Sequence, residues 1–468
     1  VGGQEAAVTS GDVSPFRAAV ANARLLRRVL PRLFPAASEA EVSEATAEGV
    51  LPLLTYHILP LRLRGVDWTA ATALLSATRA EEEEELSMQA AEGQGLSVAV
   101  EALQSQISHW EAKDEAESGE ALLRGAAGAR VSFLGTGSAI PSKHRNTSAI
   151  HVEVPRAEGV SRGMLLDVGE GTLGQMHRLW GAGATTDKLL GLSLIWISHP
   201  HADHHLGLID ILAARRRLVK AHRGGGGPFR ERLVLVAPRS VALWLEGYEK
   251  LDPCCVGSYQ MILCETLLPM MAPRLSTTAA PAENSPPLVL ALADLGLVCV
   301  SNVRVPHCRD SFGGIFESES GWKLVYSGDC RPSDSLVAAG QGATLLIHEA
   351  TFEDSMADDA VAKRHCTISE AVGVAVRMNA TRCILTHFSQ RYPALPNLPS
   401  DVSGKVLVAC DMMSVSFRDL LWASASVPVL RCLLPPEADE SEQDEGTPLH
   451  HQQSQQPAIP SVAAAAEV

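Results

Sequence analysis

The chain has 468 residues, enough to bury a core and to make two to four domains of average size. Charged residues make up 20% and hydrophobic ones 46%, a globular balance, and no apolar run is long enough for a bilayer span, so no membrane role is expected. The net charge of −15 has the wrong sign for holding nucleic acid by counterion release, but seven acidic residues and no Lys or Arg lie beyond Pro436, and five more form Glu81–Glu85.

Residues 13–35 alternate apolar and basic residues at helical spacing and stop at Phe34-Pro35. Residues 38–46 read as a capped acidic helix and residues 51–63 as strand-like. From Glu81 to Arg124 the chain is rich in Ala, Glu and Gln, which predicts helix or solvated linker. No chemistry is visible in this part. Residues 1–125 are therefore expected to be the remnant of another domain plus a connector, 126–435 the functional domain, and 436–468, acidic and then rich in Gln and Ala, a disordered tail. The ten cysteines contain no C-x-x-C spacing and read as reduced thiols of an intracellular protein. The first residue is Val and no leader is visible, so the chain is expected to be a fragment.

At Arg130 the character changes. Val131 to Leu134 is a strand running into the turn Gly135-Thr136-Gly137-Ser138, of a kind whose backbone N–H groups can hold phosphate. A second strand passes through Ile150 and Val152. A third, Met164 to Val168, ends in Asp167-Val168-Gly169-Glu170-Gly171 and opens a helix at Leu173. Alternating strands and helices with polar turns predict a layered α/β architecture.

Residues 195–209 then carry an apolar strand into His199-Pro200-His201-Ala202-Asp203-His204-His205. His199 and His201, two apart at a strand end, can turn onto one metal while Asp203 and His204 face a second. This is the H-x-H-x-D-H spacing of a two-metal hydrolytic site, built from the imidazole and carboxylate donors that zinc takes. Four residues cannot complete two such metals, and His307, Asp329 and His387 follow in turn, each after an apolar run.

Residues 206–220 predict a helix with Leu208, Ile209, Leu212 and Val219 inward and a basic cluster that includes Arg215, Arg216, Arg217 and Lys220 outward. A strand at 233–237, a helix at 241–248 and a surface loop at 271–287 follow. Strands resume at Leu297, helices are expected at 333–339 and 369–378, and a strand at 405–409 closes the fold.

Residues 130 to about 430 resemble the metallo-β-lactamase superfamily, and within it tRNase Z, the endonuclease that trims precursor tRNA. The motifs carrying this are Phe133 to Ser138, Pro141-x-Lys143-x-Arg145-Asn146, Asp167 to Gly171, His348-Glu349-Ala350-Thr351 and Arg364-His365-x-Thr367, all in the family's order. The resemblance implies an αββα four-layer sandwich with a dinuclear metal site at one sheet edge. It also implies two Zn2+ ions on His199, His201, Asp203, His204, His307, Asp329 and His387, with Asp329 bridging. By the same resemblance Asp203 orients the attacking water and His365 protonates the leaving oxygen, which gives a tRNA 3′-hydroxyl and a 5′-phosphorylated trailer. Lys143, Arg145 and Asn146 correspond to the loop that engages precursor tRNA, and Gly135, Gly137, Asp167, Gly169 and Glu170 to the nucleotide site. The chain is similar to the catalytic second half of the eukaryotic long form, with residues 1–125 like the end of a degenerate first half. The family implies nucleus or mitochondrion, or the cytoplasm, and acts as a homodimer in its short form and a monomer in its long form.

No substrate-clamping arm is apparent in the sequence, so a metal-binding half that needs a partner is one rival reading. A small-ester hydrolase would share the seven ligands without needing the Lys143/Arg145 loop or His365. Other nucleases of the superfamily carry a large insertion where this chain has fifty-seven residues, between Asp329 and His387.

Overall fold

Runs such as Leu192–Trp196 and Leu233–Ala237 are buried at every position because both faces of the strand are covered. Successive side chains point to opposite faces, so Leu194, Trp196, Val234 and Val236 enter one apolar cluster while Ile195, Ile197, Leu233 and Leu235 enter another. The computed structural model describes residues 25–35, 55–57, 65–67, 88–113, 118–126, 128–142, 144–156, 161–222, 233–275, 282, 284–390, 395–396, 398 and 404–434. All of them fall in one packing unit, Val1–Pro435. The tail expected to be disordered, and residues 38–46, lie outside the described residues.

A short antiparallel pair, β1 (Thr55–His57) and β2 (Gly65–Asp67), precedes two helices, α1 (Leu96–Ala112) and α2 (Ser118–Gly125). The first large sheet holds β3 (Arg130–Gly135), β4 (Ala149–Pro155), β5 (Ser161–Val168), β6 (Leu192–Trp196), β7 (Leu233–Ala237) and β8 (Tyr259–Leu263), with β15 (Ser414–Ser416) on its edge, in the order β15-β3-β4-β5-β6-β7-β8. The second holds β9 (Leu297–Arg304), β10 (Phe312–Ser318), β11 (Lys323–Tyr326), β12 (Leu345–Glu349), β13 (Arg382–Thr386) and β14 (Val406–Val408), in the order β14-β13-β12-β11-β10-β9.

The sheets meet through Trp196, whose ring lies edge-on to Phe316 at 6.0 Å and to Tyr326 at 5.9 Å. Its indole N–H donates to Asn302 Oδ1 at 2.8 Å, so the buried polar edge is satisfied. Over the outer face of the first sheet lie α3 (Thr172–Gly191, kinked at Gly181), α4 (Ala202–His205), α5 (Leu208–Ala221) and α6 (Arg239–Glu249). The later helices are α7 (Pro287–Asp294), α8 (Asp334–Ala339), α9 (Ala357–Lys363), α10 (Ile368–Arg377) and α11 (Val427–Leu433). Of these, α10 starts at a capping box, the Thr367 side chain accepting from Glu370 N and Glu370 from Thr367 N, and buries Ile368, Ala371, Val372 and Val374. Helices outside two facing sheets make the αββα sandwich.

Two expectations need correction. Arg215 was expected on the outer face of α5 but is 1% exposed, and burial lowers its guanidinium to about 10. Residues 88–93, 96–112 and 118–125 are helical, as their composition predicts, but they are no solvated connector. Ala91, Leu96, Leu103 and Leu123 belong to the same core as the sheets, and α1 packs on α11. Residues 25–35 join that core through Leu25, Leu33 and Phe34, and Leu33 O accepts from Ser414 N on β15 at 2.6 Å. Further unexpected elements are β8, α7 within its Pro-flanked segment, β15 and α11.

Candidate metal centre

Antiparallel pairing through β4 aligns β3 with β5 and β6, and pairing through β10 aligns β9 with β11, β12 and β13. Their carboxyl ends, where open α/β sheets hold ligands, carry the polar turns. His199, His201, Asp203 and His204 follow β6, His307 follows β9, Asp329 follows β11, Glu349 ends β12 and His387 follows β13.

The seven ligand candidates come together. His199, His201, His307 and Asp329 each offer a donor atom within 4.8 Å of the others, and so do Asp203, His204 and His387. Asp329 lies between the two groups. Its Oδ2 is 3.6 Å from His199 Nε2, 3.8 Å from His307 Nε2 and 3.3 Å from His204 Nε2, while its Oδ1 is 3.4 Å from His387 Nε2. Asp203 Oδ2 is 3.4 Å from His387 Nε2, 3.5 Å from His204 Nε2 and accepts from Ala139 N at 2.6 Å. His201 is the exposed member, with Nδ1 3.1 Å from His307 Nε2.

Two buried carboxylates aim these rings. Asp167 accepts from His204 Nδ1, Tyr326 Oη and Ser198 Oγ, each at 2.8 Å, and Ser198 Oγ in turn accepts from His199 Nδ1 at 2.9 Å. Glu349 accepts from Thr351 Oγ1 at 2.7 Å, and Thr351 Oγ1 accepts from His387 Nδ1 at 2.9 Å. His307 Nδ1 donates to Arg364 O at 2.9 Å. Each of these four imidazoles thus has Nδ1 engaged outward and Nε2 turned to the cluster, the support that metal-bound histidines receive. Asp167 and His387 hold this geometry at φ 57° and 62°, strain that the surrounding hydrogen bonds sustain.

The electrostatics suit cations. Burial and neighbouring imidazoles hold His199 well below the ordinary value, in the neutral form that ligates. Burial also opposes charge on His204, but Asp329, Asp203 and Asp167 lift it well above that value. Against burial, His204 and His387 keep Asp203 and Asp329 far below the carboxylate range. Positive charge is favoured where the carboxylates converge. His199 Nε2 and Asp329 Oδ1 are buried without a hydrogen-bond partner. An all-nitrogen-and-oxygen donor set with these orphaned atoms fits two zinc ions.

His365 lies beside the centre, its Nδ1 3.8 Å from Asp329 Oδ2 and 3.0 Å from Glu349 Oε1, and its side chain is 14% exposed. Burial opposes its charge, yet Glu349 raises it to about 9. The other predicted residues scatter. Lys143 lies outside the described residues. Arg145 is 6% exposed and faces inward, Nη1 donating to Thr136 Oγ1 at 2.7 Å and Ala409 O at 2.9 Å, its guanidinium 4.6 Å over the Phe388 ring. Asn146 Nδ2 donates to Glu170 O at 2.8 Å, and the Glu170 side chain is exposed. Asp167 is fully buried behind the metal ligands. Gly135 and Gly137 lie against the backbone of 145–147, and a Cβ on Gly169 would come within 2.4 Å of Asp203 O, so that glycine lets the ligand turn approach. Sequence reasoning gave no role to Glu349, Thr351, Ser198 and Tyr326. Glu349, an acid ending the apolar run Leu345-Leu346-Ile347, carried the one legible signal.

The profile of the Beta-lactamase superfamily domain matches residues 162–388. The zinc phosphodiesterase ELAC protein 2 of Macaca fascicularis is 40% identical over 311 residues, 66% of this chain and 36% of that one. The mitochondrial tRNAse Z TRZ4 of Arabidopsis thaliana is 35% identical over 350 residues, 65% of this chain and 36% of its own length. A solved long form RNase Z from yeast matches at TM-score 0.58 and 30% identity, over 66% of this chain and 44% of that one. The chain thus spans less than half the length of these relatives. All seven ligand candidates fall inside the profile match, and by these matches the chain is similar to the tRNase Z enzymes of the metallo-β-lactamase superfamily.

Proposed function

We propose that the chain is a zinc-dependent endoribonuclease that removes the 3′ trailer of precursor tRNA, leaving a 3′-hydroxyl on the tRNA and a 5′-phosphate on the trailer. The observation that carries this reading is the proton-bearing His365, held by buried Glu349 and set 3.8 Å from the carboxylate that links the two ligand groups. An ester with a good leaving group has little need of such an acid, whereas the alkoxide leaving a phosphodiester does.

His199, His201, His307 and Asp329 would hold one zinc, and Asp203, His204, His387 and Asp329 the other. Two zinc ions so held activate water and neutralise the phosphoryl oxygens. Asp203, fixed by Ala139 N, orients the attacking water. His365 has Nδ1 committed to Glu349, so Nε2 delivers its proton to the leaving oxygen. Because the trailer keeps the phosphate, the bond from phosphorus to the 3′ oxygen breaks, and that oxygen receives the proton. A mitochondrial or nuclear site of action accompanies this reading, the Arabidopsis relatives being named as mitochondrial.

The test is to incubate zinc-loaded protein with a labelled precursor tRNA and map the cut, with His201→Ala as control. A single cut after the discriminator base, absent in the control, is expected. Intact precursor despite two bound zincs overturns the activity for this chain.

A further inference from the structure

Behind the hydrolytic centre lies a second cluster of ligating atoms. Cys330, His348 and Cys366 are all buried, and each offers a donor within 4.8 Å of the other two. Each is the chain neighbour of a residue of the centre: Cys330 follows Asp329, His348 precedes Glu349 and Cys366 follows His365. Strand alternation and the turns therefore put the centre's residues on one side and these three on the other.

The histidine is prepared for ligation. His348 Nδ1 is 2.7 Å from the Glu349 carbonyl, which can only accept, so the proton sits on Nδ1 and Nε2 keeps its lone pair. That Nε2 is buried and engaged by no nitrogen or oxygen atom; its partner is the neighbouring Cys330 thiol, the second candidate ligand. Cys366 Sγ donates to Cys330 O at 3.0 Å, which keeps its thiol beside Cys330. Two sulfurs and one imidazole nitrogen disfavour hard cations and select zinc or copper(I).

We propose that Cys330, His348 and Cys366 bind a third metal ion, a thiophilic ion of the zinc or copper(I) type. Binding displaces the two thiol protons, which leave to solvent, and ties the turn after β11, the end of β12 and the segment before α10 to one ion.

Because no cysteine belongs to the hydrolytic centre, cobalt(II) separates the two sites. The reduced full chain, titrated anaerobically with cobalt(II), is expected to bind about three ions and to develop a thiolate-to-metal charge-transfer band worth one of them. The Cys330→Ser/Cys366→Ser variant should bind about two and lose the band, and His348→Gln should weaken it. Elemental analysis of protein from zinc-supplemented and copper-supplemented cultures identifies the native ion. Two cobalt ions in the wild type with no thiolate band overturn the proposal even if the variants fail to fold, and so does a third ion that survives in the serine variant. Failure to cut precursor tRNA leaves these readouts untouched.

Discussion

Glu349 Oε1 lies 3.0 Å from His365 Nδ1, and the same carboxylate accepts from Cys330 N at 2.9 Å and Thr351 Oγ1 at 2.7 Å. Fully buried, it works as a fixed negative charge rather than a substrate contact. It raises His365 to about 9, so the imidazolium is present below that pH and lost as pH rises through it. Glu349→Gln should lower turnover roughly 100-fold and move the alkaline limb of the pH–rate profile toward the ordinary imidazole range. Glu349 also supports His387 through Thr351, so the profile is recorded at saturating zinc, and an unmoved alkaline limb there would separate Glu349 from His365.

Asp167 accepts from His204 Nδ1, from Ser198 Oγ, which in turn holds His199, and from Tyr326 Oη. Asp167→Asn should weaken zinc binding by roughly 10–100-fold, measured by competition with a chromophoric chelator. A residue lining the nucleotide site would instead raise KM for precursor tRNA with zinc affinity unchanged.

Arg145 is linked through Thr136 Oγ1 to half-buried Asp411, Thr136 donating to Asp411 Oδ1 at 2.6 Å. Arg145→Ala removes a buried, hydrogen-bonded charge and should lower unfolding stability by about 2–3 kcal/mol. Urea denaturation would show this as a lower midpoint at unchanged slope. Unaltered stability with weakened tRNA binding would make Arg145 a substrate contact.

Burial raises Asp411 to about 6, although Thr136, Asn146 N and Arg145 favour its charged form. An acid raised above its unfolded value costs the folded state most when ionised, above about pH 6, and nothing when both states are protonated, below about pH 4. The stability of wild type relative to Asp411→Asn should therefore improve as pH falls across that window, by at most about 3 kcal/mol. Comparing the two proteins cancels the titration of the shared zinc ligands. A constant difference from pH 7.5 to 4.5 would rule out the raised value.

Much of the centre was legible because ligand chemistry and strand ends coincide: each of His307, Asp329 and His387 follows an apolar run, and imidazole and carboxylate are the groups that zinc takes. The orienting residues were not, because Ser198, Thr351 and Tyr326 differ in no local way from ordinary hydroxyl residues. They matter only because β6, β11 and β12 end beside one another.

The sequence by itself determined the strands of both sheets that bear ligands, the order of the seven donors and the resemblance of the domain, since apolar runs and donor spacing are local properties of a chain. Only the tertiary structure decided which charges turn inward. Arg145 was expected in a loop that engages substrate and Arg215 on an outward basic face, yet buried partners and neighbouring elements enclose them. It also decided that residues 25–35, 88–113 and 118–126 complete the core, because an Ala-rich helix carries no local record of the surface that will cover it.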